Sequence, residues 1–235
     1  MARAGSRAAR LLGVIVALAL GGFALLHVYY ASMIWWWRDH APRETAFMER
    51  RLDELREKQP KAVLRYEFVP YARIATSLKR AMIAAEDARF VDHEGFDWEG
   101  IQRALEKNER RGRIVAGGST ISQQLAKNLF LSGARTPWRK GQEALITVMM
   151  EQVLSKRRIL EIYLNVIEWG DGVFGAEAAA RHYYGIGAAA VGPEAAARLA
   201  GMIPNPRYYD HHRNTRWLER KTQMILARMP QAELP

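Results

Sequence analysis

Residues 11–37 contain no Asp, Glu, Lys or Arg, and residues 11–26 are wholly apolar. Crossing roughly 30 Å of hydrocarbon takes about 20 residues of helix, a length that residues 11–30 supply. A chain with such a run either keeps its first segment in a bilayer or loses it as a secretory leader. Leaders carry a shorter apolar run that ends in small side chains. Here the run leads into Tyr29, Tyr30, Trp35, Trp36 and Trp37, rings that favour the headgroup region. The expectation is a retained anchor over residues 11–37. Arg3, Arg7 and Arg10 precede it with no acidic residue among them. Residues 1–10 are therefore expected in the cytoplasm and everything beyond Arg38 on the far side.

That placement decides how the charge is read. A formal net charge of +10 fits nucleic acid, acidic lipid or phosphorylated substrates, and an extracytoplasmic domain removes nucleic acid from these. The chain has no Cys, so disulfides, thiolate metal sites and cysteine nucleophiles are excluded.

Residues 38–65 read as a membrane-proximal segment, with Leu52 and Leu55 at helical spacing within a charged stretch over 43–61 and a short extended piece over 61–71. Farther on, apolar spacing is helical almost throughout. Helices are expected over 77–90, 98–108 with Asp97 as cap, 119–131 with Ser119 or Thr120 as cap, 138–155, 158–166, 177–183 and 193–202. Pro204 and Pro206 are expected to end the last one, and residues 109–115 to form a basic loop. The fold class is mainly α, with about eight helices and very little strand.

Five segments hold side chains that can carry chemistry or scaffold it. Glu86 and Asp87 close an apolar helix, with Phe90, His93 and Gly95 behind them. In a cleft, crowded carboxylates gain basicity and one becomes a general base; on a solvated helix end the same pair does nothing, and local spacing leaves both open. Gly117 and Gly118 precede a helix bearing Ser119, Thr120, Gln123, Gln124, Lys127 and Asn128. Backbone N–H groups at such a start can face an anion, though the same pattern also describes a capped helix facing water. No GxxxxGK[ST] loop is present, which excludes the usual nucleotide-phosphate cradle. Arg139, Lys140 and Glu143 lie within about one turn. They suit a diphosphate beside an acid/base group, or ordinary surface pairs. Residues 156–165 form an apolar stripe whose Glu161 needs a buried partner such as Arg, and the Gly- and Ala-rich residues 172–185 permit close packing; both read as scaffold.

In this order the segments resemble peptidoglycan glycosyltransferase family 51. EDxxFxxHxG matches from Glu86 to Gly95, GGSTISQQLAKN from Gly117 to Asn128, RKxxE from Arg139 to Glu143, and KxxILExYLN from Lys156 to Asn165. A glycine–alanine block matches from Gly172 to Gly185. The resemblance covers about residues 66–229, departing at Tyr184, where Phe is commoner, and Ile203, where Leu is more usual. It implies a lysozyme-like glycosyltransferase domain over 66–235 with a head lobe and a membrane-embedded jaw lobe. It further implies inverting polymerisation of lipid II onto a growing lipid-linked glycan, with release of undecaprenyl diphosphate. Glu86 is implied as the base and Glu143 as a second catalytic carboxylate. The role of Glu143 stays open between orienting cations, helping to hold a metal and assisting the leaving group. Lys127, Arg139 and Lys140 are expected on the diphosphate, Ser119, Gln123, Gln124 and Asn128 on sugar or phosphate, and Asp87 beside the base.

Either no cofactor or a divalent cation, Mg or Mn, at the diphosphate is compatible with the resemblance. Expected partners are lipid II, the membrane and other cell-wall synthases, with no nucleic acid. The expected location is a bacterial inner membrane, single-pass, with a periplasmic catalytic domain. Neither SxxK nor KTG occurs, so a monofunctional enzyme rather than a penicillin-binding one is expected. Residues 109–115 are expected to clamp the moving product. Two competing readings remain: a lytic, lysozyme-like hydrolase and a non-catalytic scaffold of a cell-wall complex.

Overall fold

The computed structural model describes residues 2–113, 117–131, 133 and 136–235, with side chains from Arg10 onward. The first helix, α1 (Ala2–Trp37), carries the apolar run without a break, and its part from Arg10 to Trp37 is long and apolar enough to span a bilayer. The aromatic end of α1 is divided between two environments. Trp35 and Trp36 are exposed, as an interfacial belt requires, whereas Tyr30, Ile34 and Trp37 are buried. Tyr30 and Trp37 pack on Phe130 with ring centroids 4.7 and 5.2 Å apart. Arg158 then caps the helix end: its Nε donates to the Trp37 carbonyl at 2.8 Å and its Nη2 to the His40 carbonyl at 2.6 Å, as cations near a helix C-terminus commonly do. The anchor is thus seated on the domain rather than hung from it.

Helix α2 (Ala46–Lys58) starts at Thr45, whose hydroxyl accepts from the Met48 N–H at 3.1 Å. Its buried Arg51 reaches Glu168 at 3.1 Å, Glu54 at 2.7 Å and also Asp171. This cluster pins α2 to a small sheet of β1 (Arg65–Tyr66), β2 (Glu168–Gly170) and β3 (Val173–Phe174), in which β3 lies between β1, parallel to it, and β2, antiparallel to it.

The remaining helices are α3 (Thr76–Glu86), α4 (Trp98–Arg111), α5 (Ile121–Phe130), α6 (Pro137–Val153), α7 (Lys156–Val166), α8 (Ala176–Tyr184), α9 (Pro193–Met202), α10 (Pro206–His211) and α11 (Arg216–Arg228). Among the described residues the domain is mostly helical, as the apolar spacing predicts. α5 and α7 run through its centre, with Ile121, Leu125, Ile159, Leu160, Ile162 and Leu164 fully enclosed. α3 packs on α9, and α9 on α11. Glu161 finds the arginine it needs in Arg158, at 2.5 Å. At Gly175, with φ +85°, an added Cβ would sit 2.6 Å from the Asn165 carbonyl oxygen, so only glycine lets α8 approach α7 this closely.

Three boundaries differ from expectation. α3 stops at Glu86 rather than Phe90: the Asp87 N–H closes the last turn on Ile83, and Phe90 folds back into the core. α4 continues to Arg111 and ends at Gly112 in the left-handed conformation, φ +60°, so residues 109–111 of the expected loop are helix. Residues 114 and 115 of that loop lie outside the described residues. Pro206 does not end a helix but occupies the first turn of α10, where its missing N–H costs nothing. α11 was not expected, because its buried positions Leu218, Thr222 and Ile225 form a stripe of one residue per turn among Arg, Glu and Lys.

Candidate active site

Glu86 sits at the last turn of α3, on the wall of a cavity of about 170 Å³ that is also lined by Asp87, Asp97, Gly117, Gly118, Ser119, Thr120 and Arg228. A larger cavity of about 330 Å³, between Arg65 and Arg181 at the β1–α8 edge, holds none of the expected site residues. The Glu86 carboxylate accepts from Gln124 Nε2 at 2.9 Å. Its pKa is raised above the ordinary carboxyl value, chiefly by burial. The Gln124 hydrogen bond and the charge of Lys221 pull it down, and Asp87 pushes it up by the least of these influences. Crowding by Asp87 therefore contributes, but desolvation does most of the raising.

Asp87 has a different task. Its Oδ2 accepts from the Ile121 N–H at 3.0 Å, the first amide of α5. Its Oδ1 lies 3.0 Å from His93 Nε2. His93 Nδ1 accepts from the Gly95 N–H at 3.1 Å, so that nitrogen is unprotonated and Nε2–H is the donor to Asp87. The Gly95 carbonyl in turn accepts from the Thr120 hydroxyl at 2.7 Å. The first N–H of α5 thus already faces an anion, the carboxylate of Asp87. Thr120, not Ser119, is the N-cap. Its hydroxyl accepts from the Gln123 N–H at 3.2 Å, while Gln123 Oε1 accepts from the Thr120 N–H at 3.1 Å. This capping box leaves Gln123 buried in the helix start. Ser119 is exposed on the cavity wall, and Asn128 spends its amide on the Gln124 carbonyl at 2.8 Å.

A second cluster gathers farther along α5. Glu143 is buried and takes Arg139 at 2.5 Å on one oxygen and Lys140 on the other. Lys127 is held below the usual lysine range, first by partial burial, with Glu143 opposing and Arg139, Arg50 and Lys140 adding to the lowering. Arg50, on α2, belongs to no recognised segment. Its guanidinium packs against Gly133 at the end of α5. Among the described residues, the buried Arg50 Nη1 and Arg139 Nε have no hydrogen-bond partner. Four cations face one carboxylate, with two donors left unpaired, which is the donor set for a multiply charged oxyanion. Both Glu143 oxygens are engaged by these cations, and among the described residues no group of three His, Asp or Glu is placed to hold a metal.

Sequence reasoning missed Arg50, Tyr163, Lys221 and Arg228. The Tyr163 hydroxyl, on the enclosed α7, donates to Gln124 Oε1 at 2.8 Å. The signal was a lone hydroxyl in an aliphatic stripe, since a buried Tyr needs a partner. Lys221 and Arg228 sit on α11, which gave too weak a stripe to be read.

The chain is similar to known proteins over most of its length. The family model described as Transglycosylase matches residues 53–230. A biosynthetic peptidoglycan transglycosylase of Chromobacterium violaceum is 60% identical over 226 residues, covering 96% of this chain and 99% of the relative. That of Dechloromonas aromatica is 62% identical over 221 residues, covering 93% and 96%. That of Nitrosospira multiformis is 65% identical over 204 residues, covering 87% and 89%.

Proposed function

This chain belongs to the transglycosylase family and is a glycosyltransferase of peptidoglycan strand synthesis, and on that premise we propose that it polymerises lipid II with inversion, using Glu86 as base. One observation carries the reading. Gln124 touches Glu86, and Lys127, three residues later on α5, lies in the cation cluster, so the two α5 residues that reach the base and the cations are separated by a rise of only about 4.5 Å along the helix. A glycosyl donor with a diphosphate leaving group needs these two features close together.

The acceptor 4-hydroxyl gives its proton to Glu86, and its oxygen attacks the donor anomeric carbon from the face opposite the leaving group. The bond from that carbon to the phosphate oxygen breaks, and the electron pair leaves with undecaprenyl diphosphate. An α-linked donor becomes a β-1,4 product, the outcome of a single displacement. The leaving group needs no proton, so the second task is charge neutralisation. Lys127, Arg139, Lys140 and Arg50 perform it, and Glu143 orients Arg139 and Lys140. α1 holds the enzyme in the inner membrane with its domain in the periplasm, which confines enzyme and substrate to one surface and raises their effective concentration.

Arg50→Ala tests the cation cluster outside the recognised segments. Losing one charge-assisted contact should raise the KM for lipid II about tenfold. It should also flatten the rise of KM with salt, because one screened ion pair is gone. An unchanged KM at low salt would remove Arg50 from the site.

A further inference from the structure

Gln124 is held at both ends. Tyr163 is fully enclosed, and its hydroxyl donates to Gln124 Oε1 at 2.8 Å, while Gln124 Nε2 donates to Glu86 Oε2 at 2.9 Å. An amide has one acceptor end and one donor end, and at ordinary precision only its partners tell them apart. Burial keeps the Tyr163 hydroxyl protonated, its pKa pushed well above the ordinary phenol value, so it meets the carbonyl end as a donor. The N–H end is thereby turned towards Glu86.

We infer that Tyr163 is a positioning residue for the base: through Gln124 it aims an N–H at Glu86 Oε2 and favours the ionised carboxylate that accepts the substrate proton. This inference rests on the reading of Glu86 as base. Without Tyr163 the Gln124 carbonyl is a buried acceptor with no donor, and the partner that fixes which end of the amide faces Glu86 is gone. The carbonyl end can then meet Glu86 by accepting from its protonated form, which disfavours ionisation. The charged and titratable groups around Glu86 are Asp87 beside it, Lys221 and Arg228 on α11, Asp97 before α4, and Tyr163 itself. Tyr163→Phe removes a hydroxyl and none of these charges.

The test uses the full-length protein and lipid II in detergent–phospholipid micelles, with kcat and KM followed across pH. Tyr163→Phe should lower kcat roughly tenfold to a hundredfold and move the acidic limb of the profile to higher pH. KM should stay within about twofold of wild type. Gln124→Met, which keeps the length and loses the amide, should move the limb the same way, and the double variant no farther, as expected of residues acting as a unit. Thermal unfolding of each variant reports whether the fold is kept. An acidic limb in the wild-type position in folded Tyr163→Phe overturns the inference, even if kcat falls. A wild-type protein inactive on lipid II would instead strike the proposed function.

Discussion

Glu86→Gln should leave a folded protein whose kcat on lipid II is about a hundredfold to ten-thousandfold lower, the range that a positioned general base contributes. The substitution keeps the shape of the side chain and its capacity to accept from Gln124 Nε2, so KM should change little. It should also alter how stability depends on pH. Burial raises the Glu86 pKa in the folded chain. The native state therefore binds more protons than the unfolded state between the ordinary carboxyl value and the raised one. Stability then falls as pH rises through that window. Glu86→Gln lacks this decline, so its unfolding midpoint should exceed that of wild type on the alkaline side of the window and match it more closely below. Wild-type turnover in Glu86→Gln would remove the base from the mechanism. Identical pH dependence of stability would contradict the buried carboxylate.

Asp87→Ala should be the most damaging change to the fold around the site. It strips the acceptor from two buried donors, the Ile121 N–H and His93 Nε2–H. An unsatisfied buried donor costs about 1–3 kcal/mol, so the loss from two should total about 2–6 kcal/mol, readable by urea unfolding. The effect reaches the chemistry because Asp87 ties the end of α3 to the start of α5, the two elements that carry Glu86 and Gln124. A kcat loss of at least about tenfold should accompany it, as expected when a catalytic group is misplaced. Asp87→Asn should recover only part of the stability. Its amide offers one acceptor and puts an N–H against the other donor, and His93 cannot change tautomer without losing the Gly95 N–H. A stability change below about 0.5 kcal/mol in Asp87→Ala, the range of featureless surface positions, would contradict the geometry.

Periodicity and punctuation made most of the helical frame legible. Pro193 and Asp97 each fall at a helix N-terminus, and α6 begins within one residue of the expected position 138. α11 was hidden because it buries a single residue per turn beneath a charged surface, so its spacing looks like that of a solvated segment. Pro206 misled for a related reason: proline stops the helix before it and opens the one after it, and the sequence around it does not say which. The aromatic end of α1 reads as an interfacial belt from composition, yet Tyr30 and Trp37 face protein. Composition registers a ring's taste for a boundary but not which side of the helix meets a neighbour.

The candidate site was legible as a set of residues and not as a division of labour. Ser119, Gln123, Gln124, Lys127 and Asn128 all carry hydrogen-bonding groups within one short segment, so residue type alone puts them on equal terms. Tertiary partners separate them. Gln123 closes the capping box, Asn128 bonds its own helix, Gln124 faces Glu86, and Lys127 joins the cations. Asp87 and Glu86 are neighbours in sequence with opposite fates, one fully engaged with backbone and imidazole, the other desolvated on a cavity wall. Arg50 and Tyr163 depend on contacts between distant segments, α2 with the end of α5 and α7 with its middle. No local pattern contains those contacts.

The most direct measurement follows labelled lipid II incubated with the purified full-length protein, with finished peptidoglycan as a parallel substrate. Polymerisation predicts a lengthening glycan that a muramidase cuts at β-1,4 bonds, together with one undecaprenyl diphosphate released per disaccharide joined, and no turnover of finished peptidoglycan. Cleavage of finished peptidoglycan with lipid II left intact would contradict the account.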